Sequence, residues 1–278
     1  DLIQPHSDNA NAIGAPGRDW MTYGDLKALT HSVRKSLRSA GIGAQDRVAI
    51  VLPNGPEMAA AFITVAQSAT TAPLNPAYKE DEFAFYLDDL KARAIIIEAG
   101  YDGPARAAAN RYDMAVIELT PTEPAGSFTL STEATGDAAD TVPTTGDVAL
   151  ILHTSGTTSR PKIVPLLQSN VAASAQNVSA SLALTSEDVC LNVMPLFHIH
   201  GLIAAVSGSL AAGASISCAP GFDALKFYGW LEGVDPTWYT AVPTMHQAIL
   251  ARAPRNTDII KNARLRFLRS SSSSLPGP

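Results

Sequence analysis

Cysteine, aromatic residues and long apolar runs are all scarce in this sequence. Its two cysteines, Cys190 and Cys218, are too few and too isolated for a disulfide framework or a cysteine-ligated metal site. Both are expected in the core of a protein of a reducing compartment, the cytoplasm. No uninterrupted apolar run reaches the ~18 residues that an integral membrane helix needs. The most apolar region, 202–219, is broken by Gly208, Gly213 and several serines. No signal peptide precedes the first strand, and the chain begins at Asp1 rather than Met, so its extreme N-terminus is expected to be trimmed or to lie outside this sequence. The 20 lysines and arginines are scattered in a chain of net charge −6, which leaves no basic face for nucleic acid. Hydrophobic residues make up 46% of the 278, enough for a sizeable core in one large or two ordinary domains.

What is present alternates. Leu26, Leu29, Val33 and Leu37 form a helical stripe that ends near Gly41. A strand at 47–52 turns through Pro53-Asn54-Gly55-Pro56 into a helix at 57–67. A short strand and turn at 72–76 leads to an acidic-fronted helix at 80–91, its charge well placed for the helix dipole. Further strands are expected at 94–97 and 114–119, with a weaker helix at 105–111 between them. This alternation predicts a parallel sheet with crossover helices. Residues 120–145, rich in Thr, Pro, Gly and Ala and without periodicity, read as a loop or linker. Beyond it, strands are expected at 148–152, 189–193, 214–217, 237–241 and 265–268. Helices are expected at 169–182, 200–212, 222–231 and 243–252.

The strand at 148–152 opens into Thr154-Ser155-Gly156-Thr157-Thr158-Ser159-Arg160-Pro161-Lys162. A loop of small hydroxyl residues can aim several N–H groups at one anion. Gly156 lacks the Cβ that would hold a phosphate off, and Lys162 adds a compact charge. The Walker A pattern requires Gly directly before the Lys, and Pro161 stands there instead. A polar surface turn is the other reading of these residues. Pro195-Leu196-Phe197-His198-Ile199-His200-Gly201 follows a strand, where parallel sheets place ligand sites. A positioned imidazole there could donate to developing negative charge, although a lone histidine is more often structural. Ala241-Val242-Pro243-Thr244-Met245 reads equally well as an ordinary helix start, and the serine run 270–274 as a low-complexity loop.

Taken together and in order, these segments resemble the acyl-adenylate-forming enzymes, which include acyl-CoA synthetases, peptide-synthetase adenylation domains and beetle luciferases. Residues 154–162 resemble their phosphate loop, with Ser159 and Ile163 standing where much of the family has Gly. Asn75-Pro76, the Pro-x-Phe-His element, the Val-Pro-Thr helix start and the small-residue segment 266–276 also match. The resemblance implies an α/β fold of two parallel-type sheets flanked by helices, the truncated N-terminal part of an adenylate-forming large domain. Residues 1–278 would be a partial N-terminal adenylation domain, with 1–66 and 188–278 in one sheet layer and 67–187 in the other. It further implies ATP phosphate contacts from Thr154, Ser155, Gly156, Thr157, Thr158 and Lys162, with Thr154 also meeting Mg²⁺ through ATP. His198 would be the catalytic residue bordering the acyl carboxylate and α-phosphate. His200, Thr244, Ser271, Ser272, Ser273 and Ser274 would line the acyl pocket.

The branch of closest resemblance is that of the oxalate–CoA ligases. The implied activity is an AMP-forming carboxylate–CoA ligase that uses ATP with Mg²⁺, a small carboxylic acid, and CoA as co-substrate. Serines and a histidine on the acyl wall suit a second carboxylate better than a fatty chain, and a protonated His200 would add charge assistance. Alternatively, the serines pack against backbone and His200 caps its helix. The family's later elements do not follow Pro278: a Tyr-Gly-x-Thr-Glu segment, a ribose-binding Asp, a hinge and a C-terminal-domain Lys. The chain is therefore expected to need a missing C-terminal domain in cis and to be inactive alone. A medium-chain or aryl acyl-CoA synthetase is the alternative within the class, and a non-catalytic nucleotide- or carboxylate-binding fragment the alternative outside it.

Overall fold

The computed structural model describes residues 2–131, 136–154 and 161–274. It opens on an antiparallel hairpin absent from the periodicity reading, β1 (Asn11–Ala15) with β2 (Arg18–Thr22), which feeds α1 (Tyr23–Ser39). Thr22 and Asp25 start that helix with a reciprocal box. Thr22 Oγ1 accepts from the Asp25 N–H at 3.1 Å, and Asp25 Oδ2 accepts from the Thr22 N–H at 3.0 Å. Next come β3 (Arg47–Val51), α2 (Pro56–Ala66), β4 (Thr70–Pro73) and α3 (Glu80–Leu90). They continue into β5 (Ala94–Glu98), α4 (Pro104–Asn110) and β6 (Ala115–Pro121). β7 (Phe128–Ser131) runs antiparallel to β6, and β8 (Val148–Thr154) antiparallel to β9 (Lys162–Leu167), ahead of α5 (Gln168–Ser181). β10 (Val189–Asn192) precedes a π-helix (His200–Ser207) that runs into α6 (Gly208–Ala211). The remaining elements are β11 (Ser215–Cys218), α7 (Phe227–Val234), β12 (Trp238–Ala241), α8 (Pro243–Leu250), α9 (Thr257–Asn262) and β13 (Phe267–Ser270).

The strands form a six-stranded sheet, β13-β12-β10-β11-β1-β2, and a seven-stranded sheet, β7-β6-β5-β3-β4-β8-β9. Both are mixed: parallel pairs fill the interior, and β2, β7 and β9 are antiparallel edges. The expected layer boundary near residue 66 needs correction, because β3 belongs to the seven-stranded sheet, parallel to β4 and β5. α2 joins β3 to β4 as a parallel neighbour, whereas α1 carries the chain from the six-stranded sheet into this one.

The interior strands are buried almost throughout, as expected for sheets covered on both faces, and successive residues alternate between two cores. Val48 and Ile50 of β3 join the large core between the sheets, whereas Ala49 and Val51 join the core under α3 and α4. In the other sheet, Cys190 and Trp238 face inward, while Leu191 and Tyr239 pack beneath α7 and α8. Helix α2 lies between the sheets and touches β1 and β11 on one side and β3 and β4 on the other. All of its residues except Glu57 are buried.

The linker expected at 120–145 is partly ordered sheet. β6 extends to Pro121, and β7 alternates buried and exposed residues against it. A four-residue edge strand is too short to show periodicity, so composition misled. Arg38, 5% exposed, fastens the far end of this segment. Its guanidinium donates to the carbonyls of Ile42, Ser68 and Thr141 at 2.6–2.7 Å. The helix expected at 200–212 also differs, since its first eight residues are wound as a π-helix.

Tight packing of α2 makes a direct prediction. Ala60 is fully buried, so Ala60→Leu should overpack the layer between the sheets and cost about 1–3 kcal/mol. Chemical denaturation of the variant against the unaltered chain measures it.

Candidate active site

The site follows from where strands end. In the six-stranded sheet β10, β11, β12 and β13 are parallel, so the segments after Asn192, Cys218, Ala241 and Ser270 leave the same edge. In the other sheet β3, β4, β5 and β8 are parallel and share an edge likewise. Asn54, in the turn after β3, brings the two edges together. Its Oδ1 accepts from the Leu196 N–H at 2.8 Å, and its Nδ2 donates to the Ala219 carbonyl at 2.9 Å. The Pro195–Gly201 element and the end of β8 at Thr154 therefore lie on one side of the protein, the position that open α/β sheets favour for ligands.

Gly201 is required where the Pro195–Gly201 element folds back, because a Cβ there would collide with the Pro195 carbonyl oxygen. That fold-back turns the chain into the π-helix and buries His200 to 6% exposure. His200 Nε2 lies 2.6 Å from Thr240 Oγ1, and its Nδ1 lies 3.0 Å from Ser272 Oγ. Arg269 Nη1 sits 3.0 Å from His200 Nε2 and 3.1 Å from Thr240 Oγ1. A guanidinium only donates, so Nε2 is the unprotonated nitrogen and Nδ1 carries the proton toward Ser272. Burial, then the charge of Arg269 and the neighbouring His246, push the His200 pKa down to about 4. The imidazole is thus neutral at neutral pH, which corrects the expectation of a protonated His200: the adjacent cation already supplies the charge.

Arg269 is partly buried, and its own pKa is lowered by that burial. No carboxylate pairs with it among the described residues. From the opposite face of the sheet, His246 Nε2 lies 3.2 Å from the Arg269 carbonyl oxygen, and its Nδ1 lies 3.3 Å from the Tyr239 hydroxyl. These contacts hold the backbone that carries the guanidinium.

The structure gathers only part of the expected set. His200 and Ser272 meet directly. Ser271 gives its N–H to the Ala241 carbonyl, continuing the sheet, while Ser273 and Ser274 are exposed. Thr244 is exposed on the first turn of α8 and joins none of these hydrogen bonds. His198 is exposed and packs on the Phe197 ring at 4.4 Å, with desolvation lowering its pKa. Thr154 and Lys162 are exposed register partners on β8 and β9, at the mouth of the loop. Ser155, Gly156, Thr157 and Thr158 lie outside the described residues. Among the described residues, no group of three or more His, Cys, Asp or Glu gathers as a metal site. Sequence reasoning missed Thr240 and Arg269. The signal for Arg269 was its position two residues after Phe267, on the face of β13 that stacks against Trp238.

Comparison with known proteins gives the family. A profile of the family described as AMP-binding enzyme matches residues 4–277, so the chain belongs to the AMP-binding enzymes. Its relatives include the oxalate–CoA ligase of Arabidopsis thaliana, 39% identical over 272 residues, covering 95% of this chain and 53% of the plant protein. The oxalate–CoA ligase of Saccharomyces cerevisiae is 32% identical over 301 residues, covering 97% of this chain and 55% of the yeast protein. ATP-bound MatB from Rhodopseudomonas palustris shares the fold, with a TM-score of 0.81 at 24% identity over 98% of this chain and 54% of that one. The chain spans about half the length of the curated relatives it matches. Among the described residues, no helix is long and apolar enough to cross a membrane.

The His200 environment has a consequence for stability. Its folded pKa of about 4 lies below the ordinary value of 6.5, so between these values the unfolded chain binds the extra proton. Stability contributed by keeping His200 neutral should therefore fall as pH drops from 6.5 toward 4, by up to about 3 kcal/mol. In urea titrations across that window, His200→Gln should lose stability less steeply than the unaltered chain. Parallel slopes would show that His200 does not titrate this way.

Proposed function

We propose that this chain is the N-terminal part of an AMP-forming carboxylate–CoA ligase whose acid is a small dicarboxylate such as oxalate. The observation that carries the reading is Arg269, a partly buried cation that donates to a neutral His200 and to Thr240 and has no carboxylate partner among the described residues. A desolvated charge without a counter-ion is costly, and a substrate's second carboxylate would compensate it. A fatty chain would instead leave the guanidinium unpaired. Family membership and the oxalate–CoA ligase relatives support the same reading.

In this reading the reacting carboxylate attacks the α-phosphate of ATP, giving an acyl-adenylate and pyrophosphate. The CoA thiol then attacks the acyl carbon and AMP leaves. Lys162 and the loop it closes neutralise the departing pyrophosphate, the electrostatic work common to phosphate-transfer sites. Thr154 stands where a Mg²⁺ carried by the triphosphate would meet the chain. His198 is the exposed donor beside the reacting carboxylate. Arg269 and Ser272 hold the distal carboxylate, and His200, bonded to both, positions them and so orients the reacting one. Thr244, Ser271, Ser273 and Ser274 line the remaining wall. The buried free thiols Cys190 and Cys218 suit a cytoplasmic enzyme.

The test is a full-length protein containing this chain, assayed with oxalate, malonate, hexanoate and cinnamate. The small diacids should be preferred, and Arg269→Met should lower kcat/KM for them about 10- to 100-fold, the worth of a hydrogen bond to a charged group. Preference for hexanoate, with a ranking that Arg269→Met leaves unchanged, would replace the diacid reading with the medium-chain one. The 278-residue chain alone should show no pyrophosphate exchange. Clear turnover would mean that it already holds every essential group.

A further inference from the structure

The candidate active site lies where the parallel strands end. A second concavity lies at the opposite edge, where they begin, and the proposed chemistry does not use it. Residues 142–145 run toward the start of β8, and α2 ends just before β4. Together with the N-terminal segment, α1 and the first turns of α5, they enclose a cavity of about 270 Å³. That is just under the range for drug-sized ligands, so it suits a smaller molecule. Its outer wall is pinned at both ends. Arg38 holds the Thr141 carbonyl, the Thr145 carbonyl accepts from the Ser169 N–H at 3.1 Å, and the Asp147 carbonyl accepts from the Gln168 N–H at 2.8 Å. Leu2, Ile63, Val142 and Val171 help to make the lining mostly apolar.

One cation on this wall lacks a counter-ion. Thr30 and Arg34 stand one turn apart on α1, and both line the cavity. Thr30, Gln67 and Gln168 are satisfied within the chain, their side chains donating to the Leu26, Ile63 and Ala66 carbonyls. Arg34 is not. Its Nε is shut off from water and has no hydrogen-bond partner among the described residues, and the side chain makes no ion pair among them. Among the described residues, no Asp or Glu lines the cavity. Arg38, one turn further along α1, is a like charge. Burial lowers its pKa, and Arg34 adds to that fall against Asp140 and Asp46. Arg38 spends its donors on three backbone carbonyls, so neither arginine relieves the other. An anion at Arg34 would satisfy the orphaned N–H and offset the repulsion between the two guanidiniums.

We propose that this cavity is a second ligand site, which takes a small monocarboxylate with its charge on Arg34 and its apolar chain against Ile63 and Val171. One cation calls for one negative charge, and an apolar wall for a hydrocarbon body. The site is independent of the acyl-substrate reading. The test uses the chain as it stands, with hexanoate as the probe and hexanol as its neutral counterpart. Affinity is read by NMR from the methyl signals of Ile63, Val142 and Val171. Hexanoate should shift these signals and bind at least about tenfold more tightly than hexanol. Arg34→Met should weaken hexanoate about 10- to 100-fold and leave hexanol unaffected, the range for a hydrogen bond to a charged group. Ala172→Leu, on the α5 wall, should exclude both by filling the space, and leucine suits the helix. Arg269→Met should change neither affinity. Methyl signals that hexanoate leaves unmoved, or equal binding of acid and alcohol, overturn the proposal. Both are read on the unaltered chain, so they decide the point even where a variant loses stability. Hexanoate binding that Arg269→Met removes and Arg34→Met leaves intact also overturns it, because the acid would then sit in the candidate active site.

Discussion

Helix α2 has almost no solvent face, and that constraint organises the protein. A helix buried between two sheets must be apolar all round and slim enough for both sheets to approach. Its sequence, Pro-Glu-Met-Ala-Ala-Ala-Phe-Ile-Thr-Val-Ala, meets both demands. Its one charged residue, Glu57, sits in the first turn, accepting from Arg18 at 2.7 Å and from the Gly126 N–H at 3.2 Å. This partly buried charge fastens β2 and the β6–β7 turn to the helix start. Because α2 fixes how the sheets face each other, Asn54, just before it, can reach the strand ends of the opposite sheet.

The candidate site shows the electrostatic result. A guanidinium, an imidazole and a threonine hydroxyl crowd within hydrogen-bond distance on a sheet face that is otherwise apolar core. Two protonated groups that close would repel, and burial decides which one loses its charge. The imidazole yields, since arginine stays protonated far above neutrality. The outcome is one cation with a neutral hydrogen-bonding rim, a surface suited to an anion with several oxygens.

Much of this was legible in the chain. The parallel core follows from Ala94 to Ile97 and Val148 to Leu152, continuous apolar runs that mark strands buried on both faces. The hairpin of β1 and β2, and strands β7 and β9, escaped because β2, β7 and β9 are short antiparallel edges with few fully buried residues, which leaves little apolar alternation to read. In the site, His200 and Ser272 carried a local motif and were found. Arg269 and Thr240 carried none. They meet because β12 and β13 pair in register, Thr240 opposite Arg269, a fact of topology rather than of local sequence. His153, just past the expected strand at 148–152, was given no partner, because Asp89, which its Nε2 meets, lies 64 residues earlier.

The π-helix behind His200 has an evolutionary consequence. Its wider winding is closed by Ser207, whose hydroxyl returns to the Leu202 carbonyl five residues back at 2.9 Å, and all eight residues from His200 to Ser207 are buried. A segment enclosed on every side cannot bulge outward to absorb a length change. Losing one residue with the winding unchanged would turn everything downstream by roughly a quarter of a turn, carrying Gly208 away from its close fit against Val178. Side chains along this stretch can drift within apolar limits. The number of residues between His200 and α6 cannot, so in this part of the protein selection acts on length before it acts on composition.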